Sequence, residues 1–247
     1  HMDEYNVSIT DDEKAAITAA AAQFMEDNSK DAINALGATQ EIVEEYLTLE
    51  TIQSKMKAAI VAGADTNVTD EEAKTGAYSY VGISKTTHQD ESGNTVDYTD
   101  EEKEELAAKV DDFAKAAKED GLDAAAEDAG YTVSTGTFTQ EDDSVDDNLL
   151  AALKNLKEGE VTDLIDGDSS YFVARLDKEV DEDATEETRQ SIIEQRKDDL
   201  YDETLDGWKE GIEWAVKEKV WDDVNFDNLF TTIKDTETES TTEQATE

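Results

Sequence analysis

Apolar positions fall at helical spacing near both ends of the chain and alternate more tightly in the middle. Thr10 followed three residues later by Glu13 is a capping box, in which hydroxyl and carboxylate satisfy free backbone donors at a helix start. An alanine-rich helix is expected from there to about residue 27, and a short one over 31–36 that stops at Gly37. Thr39 opens a longer helix with Ile42, Tyr46, Leu49, Met56 and Ile60 on one face, closing near Gly63. Thr69 with Glu72 and Thr99 with Glu102 repeat the capping box. After Thr99, residues Leu106, Val110, Phe113 and Ala117 make a buried stripe.

Between these helices the texture changes. Residues 77–85 alternate loosely and are rich in Tyr, Val and Ile, as a strand requires, and 88–97 read as a polar loop around Ser92-Gly93-Asn94. The pattern then predicts a helix over 123–129, a strand over 131–138, a helix over 146–156 and strands over 161–165 and 171–176. The order β-α-α-β-α-β-β is an α+β module. From about Thr185 helical spacing returns through Ile192, Ile193, Leu200, Leu205, Trp208, Ile212, Ala215 and Val220. Phe226, Leu229, Phe230 and Ile233 follow as an apolar anchor, and the Thr- and Glu-rich residues 235–247 cannot bury a core.

Four segments are therefore expected. Residues 1–75 form a helical region, 76–182 an inserted α+β module, 183–234 the helices that complete the first region, and 235–247 a disordered acidic tail. Burying a large side chain is worth roughly 1.5–3 kcal/mol, so the late Trp-bearing stripe needs a partner. Trp208 and Ile212 are expected to pack against the helix of Ile42, Tyr46 and Leu49.

Charge narrows the function. The 247 residues include 21 Lys and Arg against 65 Asp and Glu, a net charge of −44. Such a surface repels phosphate, which excludes a nucleic-acid binder and electrostatic docking on anionic lipid. There is no cysteine or proline, so disulfides, thiolate metal sites and a cysteine nucleophile are excluded. Of two histidines, His1 before Met2 reads as the remnant of a cleaved tag, and a leader ahead of it is expected to be missing. His88 alone cannot make a multi-histidine metal site, and neither metal nor cofactor is expected. No apolar run is long enough to span a bilayer.

Several motifs carry no chemistry. Ser54 with Lys57 and the run Lys74-Thr75-Gly76 match two β-lactamase signatures, but both lie close together in a helical stretch. Gly167-Asp168-Ser169 reads as a hairpin turn. The acidic runs at 141–147 and 177–183 lack EF-hand spacing and read as solvated loops. Trp208, Trp214 and Trp221 read as packing residues.

The module resembles the parvulin-type peptidyl-prolyl isomerase domain, and the whole chain resembles extracytoplasmic foldases of the PrsA and SurA kind. Leu156-Lys157-Glu158-Gly159-Glu160-Val161-Thr162 is close to the family's L-K-x-G-E-V-S, and Ser170-Tyr171-Phe172-Val173-Ala174 is similar to its last strand, G-Y-H-I-I. The run from Ala77 through Ile83 resembles its opening strand, and Gly136-Thr137-Phe138 stands where the family has G-W-F. The resemblance implies two strand histidines beside a Cys or Asp, under an apolar cradle that grips proline. Here those histidines fall on Tyr80 and Phe172, the acid falls near Ser134, and a family leucine becomes Gly82. The cradle is kept in part by Phe138, Val145 and Leu149, so the implied substrate-binding set is Tyr80, Phe138, Val145, Leu149 and Phe172.

The resulting expectation is an extracytoplasmic foldase or holdase with weak or absent isomerase activity. It would bind unfolded exported polypeptides in a groove between helical region and module, as a cell-surface lipoprotein of a bacterium. Two alternatives stand beside it: an active isomerase using a reduced site, and a surface lipoprotein scaffold.

Overall fold

The structure, a computed structural model, describes residues 1–90, 92–213 and 215–222. The chain divides into two compact units, one from residues 1–64 and the stretch from 197 on, the other from residues 65–196.

The first unit is helical. A 3-10 turn at Met2–Tyr5 leads to α1 (Asp11–Asp27), α2 (Lys30–Leu36) and α3 (Gln40–Val61). Thr10 makes the full capping box with Glu13, while Ser29 and Thr39 cap α2 and α3 through their hydroxyls. Lys55 reaches back to Glu13 at 2.8 Å and to the Ser8 carbonyl at 2.7 Å. That lysine and the N–H and hydroxyl of Thr10 hold the Glu13 carboxyl down to about 2.

The core of this unit gathers Val7, Met56 and Ile60, with Leu200, Tyr201 and Trp208 packed against it from the later half of α8 (Glu182–Lys209). Trp208 thus packs with the expected helix, while Ile212 and the Ile42–Leu49 stripe do not take part. Trp208 meets the C-terminal part of α3, where its ring stands edge-on to Tyr5 at 6.0 Å. Ile42, Tyr46, Leu49 and Ile212 are all more than half exposed. The reason is that α8 stops at Lys209, between Gly207 and Gly211, so Ile212 and Val220 do not extend its stripe. Val220 and Trp221 belong to the separate, exposed turn α9 (Glu218–Trp221). Trp214, the apolar anchor from Phe226 to Ile233 and the acidic tail lie outside the described residues.

The second unit is an α+β sandwich built on one sheet. After α4 (Asp70–Ala73) come β1 (Gly76–Ser84), a hairpin of β2 (Thr87–Gln89) and β3 (Thr95–Asp97), α5 (Asp100–Asp120) and α6 (Leu122–Ala129). Then follow β4 (Ser134–Phe138), α7 (Asp147–Leu153), β5 (Ile165–Asp166) and β6 (Ser170–Lys178), and the first half of α8 closes the unit. The antiparallel sheet runs β4-β1-β6-β5.

The expected loop over 88–97 is therefore a small hairpin. The Asp90 carboxylate accepts from the backbone N–H groups of Ser92 and Asn94, and Gly93 takes φ +80 to turn the chain. Of the strand expected over 161–165, only a bridge at Val161 and the two residues of β5 form. The helix expected over 146–156 ends at Leu153.

The pleat divides the sheet's side chains between two layers. On one face Val81, Ile83 and Val173 pack under Val110, Phe113 and Leu122 of α5 and α6. On the other, Tyr78, Ala174 and Leu176 join Phe138 and Ile165 beneath Leu149, Leu150 and Leu153 of α7.

Candidate functional site

The α7 face gathers every residue the sequence nominates for a site. Because side chains alternate along a strand, Tyr78, Tyr80 and Gly82 of β1 share this face. Residues paired across strands share it too: Ser134 stands opposite Tyr80, and Phe172 opposite Gly82. Phe138, Val145 and Leu149 are buried in one cluster, and Tyr80 and Phe172 pack half-buried at its edge.

The rings form a continuous ladder. Phe138 stands edge-on to Tyr78 at 5.9 Å, Tyr78 is 5.4 Å from Tyr80, and Tyr80 is 6.1 Å from Phe172. Tyr78 completes the ladder and is the member that sequence reasoning missed. Its position two residues before Tyr80 was the available signal, since a period of two places both rings on one face.

Phe172 depends on two glycines. A Cβ at Gly82 would come within 3.2 Å of its ring, and one at Gly167 within 2.6 Å of it. Glycine at 82 and 167 and phenylalanine at 172 are thus one packing solution. The ring takes the space that larger neighbours would fill.

The polar groups beside the ladder are the hydroxyls of Tyr78, Tyr80 and Ser134, with the Asp146 carboxylate near Phe172 at Gly167. Burial raises the Tyr78 hydroxyl pKa above its ordinary value, and neighbouring Tyr80 and Asp142 push it further. It is therefore a neutral donor at physiological pH. Ser134 is exposed. The module's one histidine, His88, lies in β2, stacked on Tyr98 at 4.5 Å, and Tyr98 belongs to the α5–α6 side.

The cradle is also packed full. Phe138, Val145 and Leu149 are each less than a tenth exposed. The cavity beside Phe138, lined by Gly76, Leu153 and Leu176 among others, measures about 60 Å³.

The turn after β5 is tied to α7. Asp146 caps the helix by accepting from the N–H groups of Asn148 and Leu149, and its second oxygen accepts from Asp168 at 2.8 Å. Lys85 pairs with Asp166 and donates to the Gly167 carbonyl. Gly167-Asp168-Ser169 is accordingly the β5–β6 turn. Among the described residues no cluster of His, Asp or Glu is arranged to hold a metal ion, and no helix is long and apolar enough to cross a membrane.

This sheet, with two helices on one face and a short helix on the other, is a parvulin-like α+β module. Residues 85–190 match the family model of the PPIC-type PPIASE domain. The match takes in Ser134, Phe138, Val145, Leu149 and Phe172 and begins just after β1.

Among solved structures, the chain is similar to the peptidylprolyl isomerase PrsA of Bacillus cereus, with 21% identity, 88% of this chain and 80% of that one covered, and a TM-score of 0.38. It is similar to the foldase protein PrsA of Streptococcus pneumoniae at 18% identity, covering 87% and 81%, with a TM-score of 0.32. A third is one of the SurA-like chaperones of Campylobacter jejuni, at 12% identity, covering 86% and 80%, with a TM-score of 0.31. No curated protein matches the chain.

Proposed function

We propose that the protein is an extracytoplasmic foldase of the holdase kind, which binds unfolded exported polypeptides, and that its parvulin-type domain no longer catalyses prolyl isomerisation efficiently. The observation that carries the second half is the Tyr80–Phe172 pair, 6.1 Å apart beside a filled cradle.

Rotation about a peptide bond faces a barrier of ~18–20 kcal/mol. A catalyst must bind the twisted amide better than the planar one. Ionisable groups poised near neutrality would do this, and the α7 face offers phenols, one serine hydroxyl and the Asp146 carboxyl, held below its ordinary value, instead. Buried Phe138, Val145 and Leu149 leave no recess for a prolyl ring.

The foldase half rests on the PPIC-type domain and on the resemblance of the helical flanks, and the lipoprotein anchor is part of the same reading. The test sets two assays side by side. Turnover of a proline tetrapeptide should sit near background and show no titration around pH 6–7, because no imidazole contributes. Aggregation of a denatured client should be suppressed in the same buffer. Rapid isomerisation by the unmodified protein would overturn the degenerate-site reading in favour of an active isomerase. Failure to protect any client would favour a scaffold.

A further inference from the structure

The stripe on α3 that the sequence pairs with a late helix stays uncovered in its N-terminal half. There α1, α2 and α3 form an apolar groove of about 430 Å³, lined chiefly by Phe24, Leu36, Ile42, Val43, Tyr46 and Leu47. Leu36, Ile42 and Tyr46 are 49%, 54% and 60% exposed. Contiguous apolar exposure of this kind marks a docking surface rather than ordinary surface scatter.

The chain that builds the groove is also acidic. Between Phe24 and Leu47 it carries Glu26, Asp27, Asp31, Glu41, Glu44 and Glu45 against Lys30. All six carboxylates except Glu44, which is half-buried, are exposed. Glu45 lies three residues beyond Ile42 and so flanks it on the same side of α3. An exposed charge acts over about 8–10 Å at physiological salt, which spans the groove's rim.

This field discriminates between occupants. A second copy of a chain with net charge −44 brings more carboxylates. The chain's own apolar anchor is bordered by Asp222, Asp223, Asp227 and Asp235 against Lys234 alone, and so meets the same repulsion. Only an apolar segment with cationic neighbours satisfies both the lining and the rim.

We propose that the α1–α3 groove is a client-binding surface selective for unfolded segments whose apolar residues are flanked by Lys or Arg. This rests on the client-binding reading above and names the class of segment that it takes.

The test uses the full chain and two labelled peptides that share one Leu/Phe core, one flanked by lysines and one by glutamates. At low salt the lysine peptide should bind roughly tenfold tighter, the sum of a few exposed ion pairs, and the gap should close as salt rises. Ile42→Ser and Tyr46→Ser change exposed positions, keep the melting transition, and should each weaken the lysine peptide severalfold. Equal affinity for the two peptides overturns the charge selectivity. Unchanged binding in both groove variants overturns the location. Tighter binding of both peptides in Phe226→Ser/Phe230→Ser shows the chain's own anchor in the groove and overturns the assigned occupant. In all three cases the foldase reading survives provided that the wild type still suppresses client aggregation. Loss of that protection marks the failure of the reading itself.

Discussion

The two faces of the module's sheet use opposite chemistry. On the α5–α6 face, Ser79 donates to Asp177 at 2.5 Å, and Arg175 reaches Asp177 at 2.6 Å and also Asp123. The hydrogen bonds Arg175 donates to Asp123 and then Asp177 raise its pKa and keep its charge fixed. On the α7 face, the same strands present Tyr78, Tyr80, Ala174 and Leu176. The sheet's ionic network is thus structural and sits on the face away from the site positions. An isomerase would need the reverse, with ionisable groups on the α7 face.

The comparison breaks most readily at Phe138. If the α7 face is core, Phe138→Ala should destabilise the module by about 3–5 kcal/mol, read from urea unfolding. A cost below ~1 kcal/mol would mean that the ring lines a cavity able to collapse or to take solvent, and the two faces would differ less than they appear. On the other face, Asp177→Ala leaves Ser79 without its acceptor and removes one of Arg175's two carboxylates. Its cost should be about 1–3 kcal/mol, with Asp177→Asn recovering part of it.

How much of this was legible in the sequence varies with the physics of each element. Three capping boxes, at Thr10, Thr69 and Thr99, appear as expected because the signal is local and does not depend on packing. The stripe of Leu106, Val110, Phe113 and Ala117 is buried because one helix face meets one sheet face. The β2–β3 hairpin escaped, since strands of three residues, mostly polar and exposed, show no alternation long enough to read. The late helix misled for a different reason. Its apolar residues are split between two units, so a single stripe with a single partner was the wrong picture.

Sequence reasoning nominated Tyr80, Ser134, Phe138, Val145, Leu149 and Phe172 for a site, and these share one face. What it could not supply was occupancy. That Phe138, Val145 and Leu149 are buried rather than lining a recess depends on how Phe172 packs between Gly82 and Gly167. Side-chain volume at residues far apart in sequence decides this, and no short motif encodes it.

A smaller effect is expected at Asp146, which fastens α7 to the β5–β6 turn. Burial pushes its carboxyl up, but the N–H groups of Asp168, Leu149 and Asn148, with the charge of Lys85, outweigh it and hold the group below its ordinary value. A carboxyl depressed in the folded state contributes fully above the ordinary carboxylate range, and the contribution fades as pH falls through the folded value. Asp146→Ala should therefore cost about 1 kcal/mol at pH 7, as loss of a helix cap does. The difference from wild type should close below about pH 4. A gap independent of pH would mean that the side chain acts by packing alone.

The smallest effect is expected where family resemblance would predict the largest. Tyr80→His with Phe172→His puts histidines at the two positions the resemblance assigns to them, and Ser134 already stands across from residue 80 as a third polar group. If polarity were the sole deficit, turnover on a proline tetrapeptide should rise and titrate near pH 6–7, where imidazole changes charge. The cradle argues otherwise. Phe138, Val145 and Leu149 stay buried under α7, Leu153 still closes the small cavity beside Phe138, and neither substitution removes those contacts. Turnover should remain within about twofold of background, a change of ~0.4 kcal/mol in the barrier. A strong, pH-dependent gain would show that a prolyl ring reaches the α7 face after all, and that what separates the two faces is two side chains rather than a filled core.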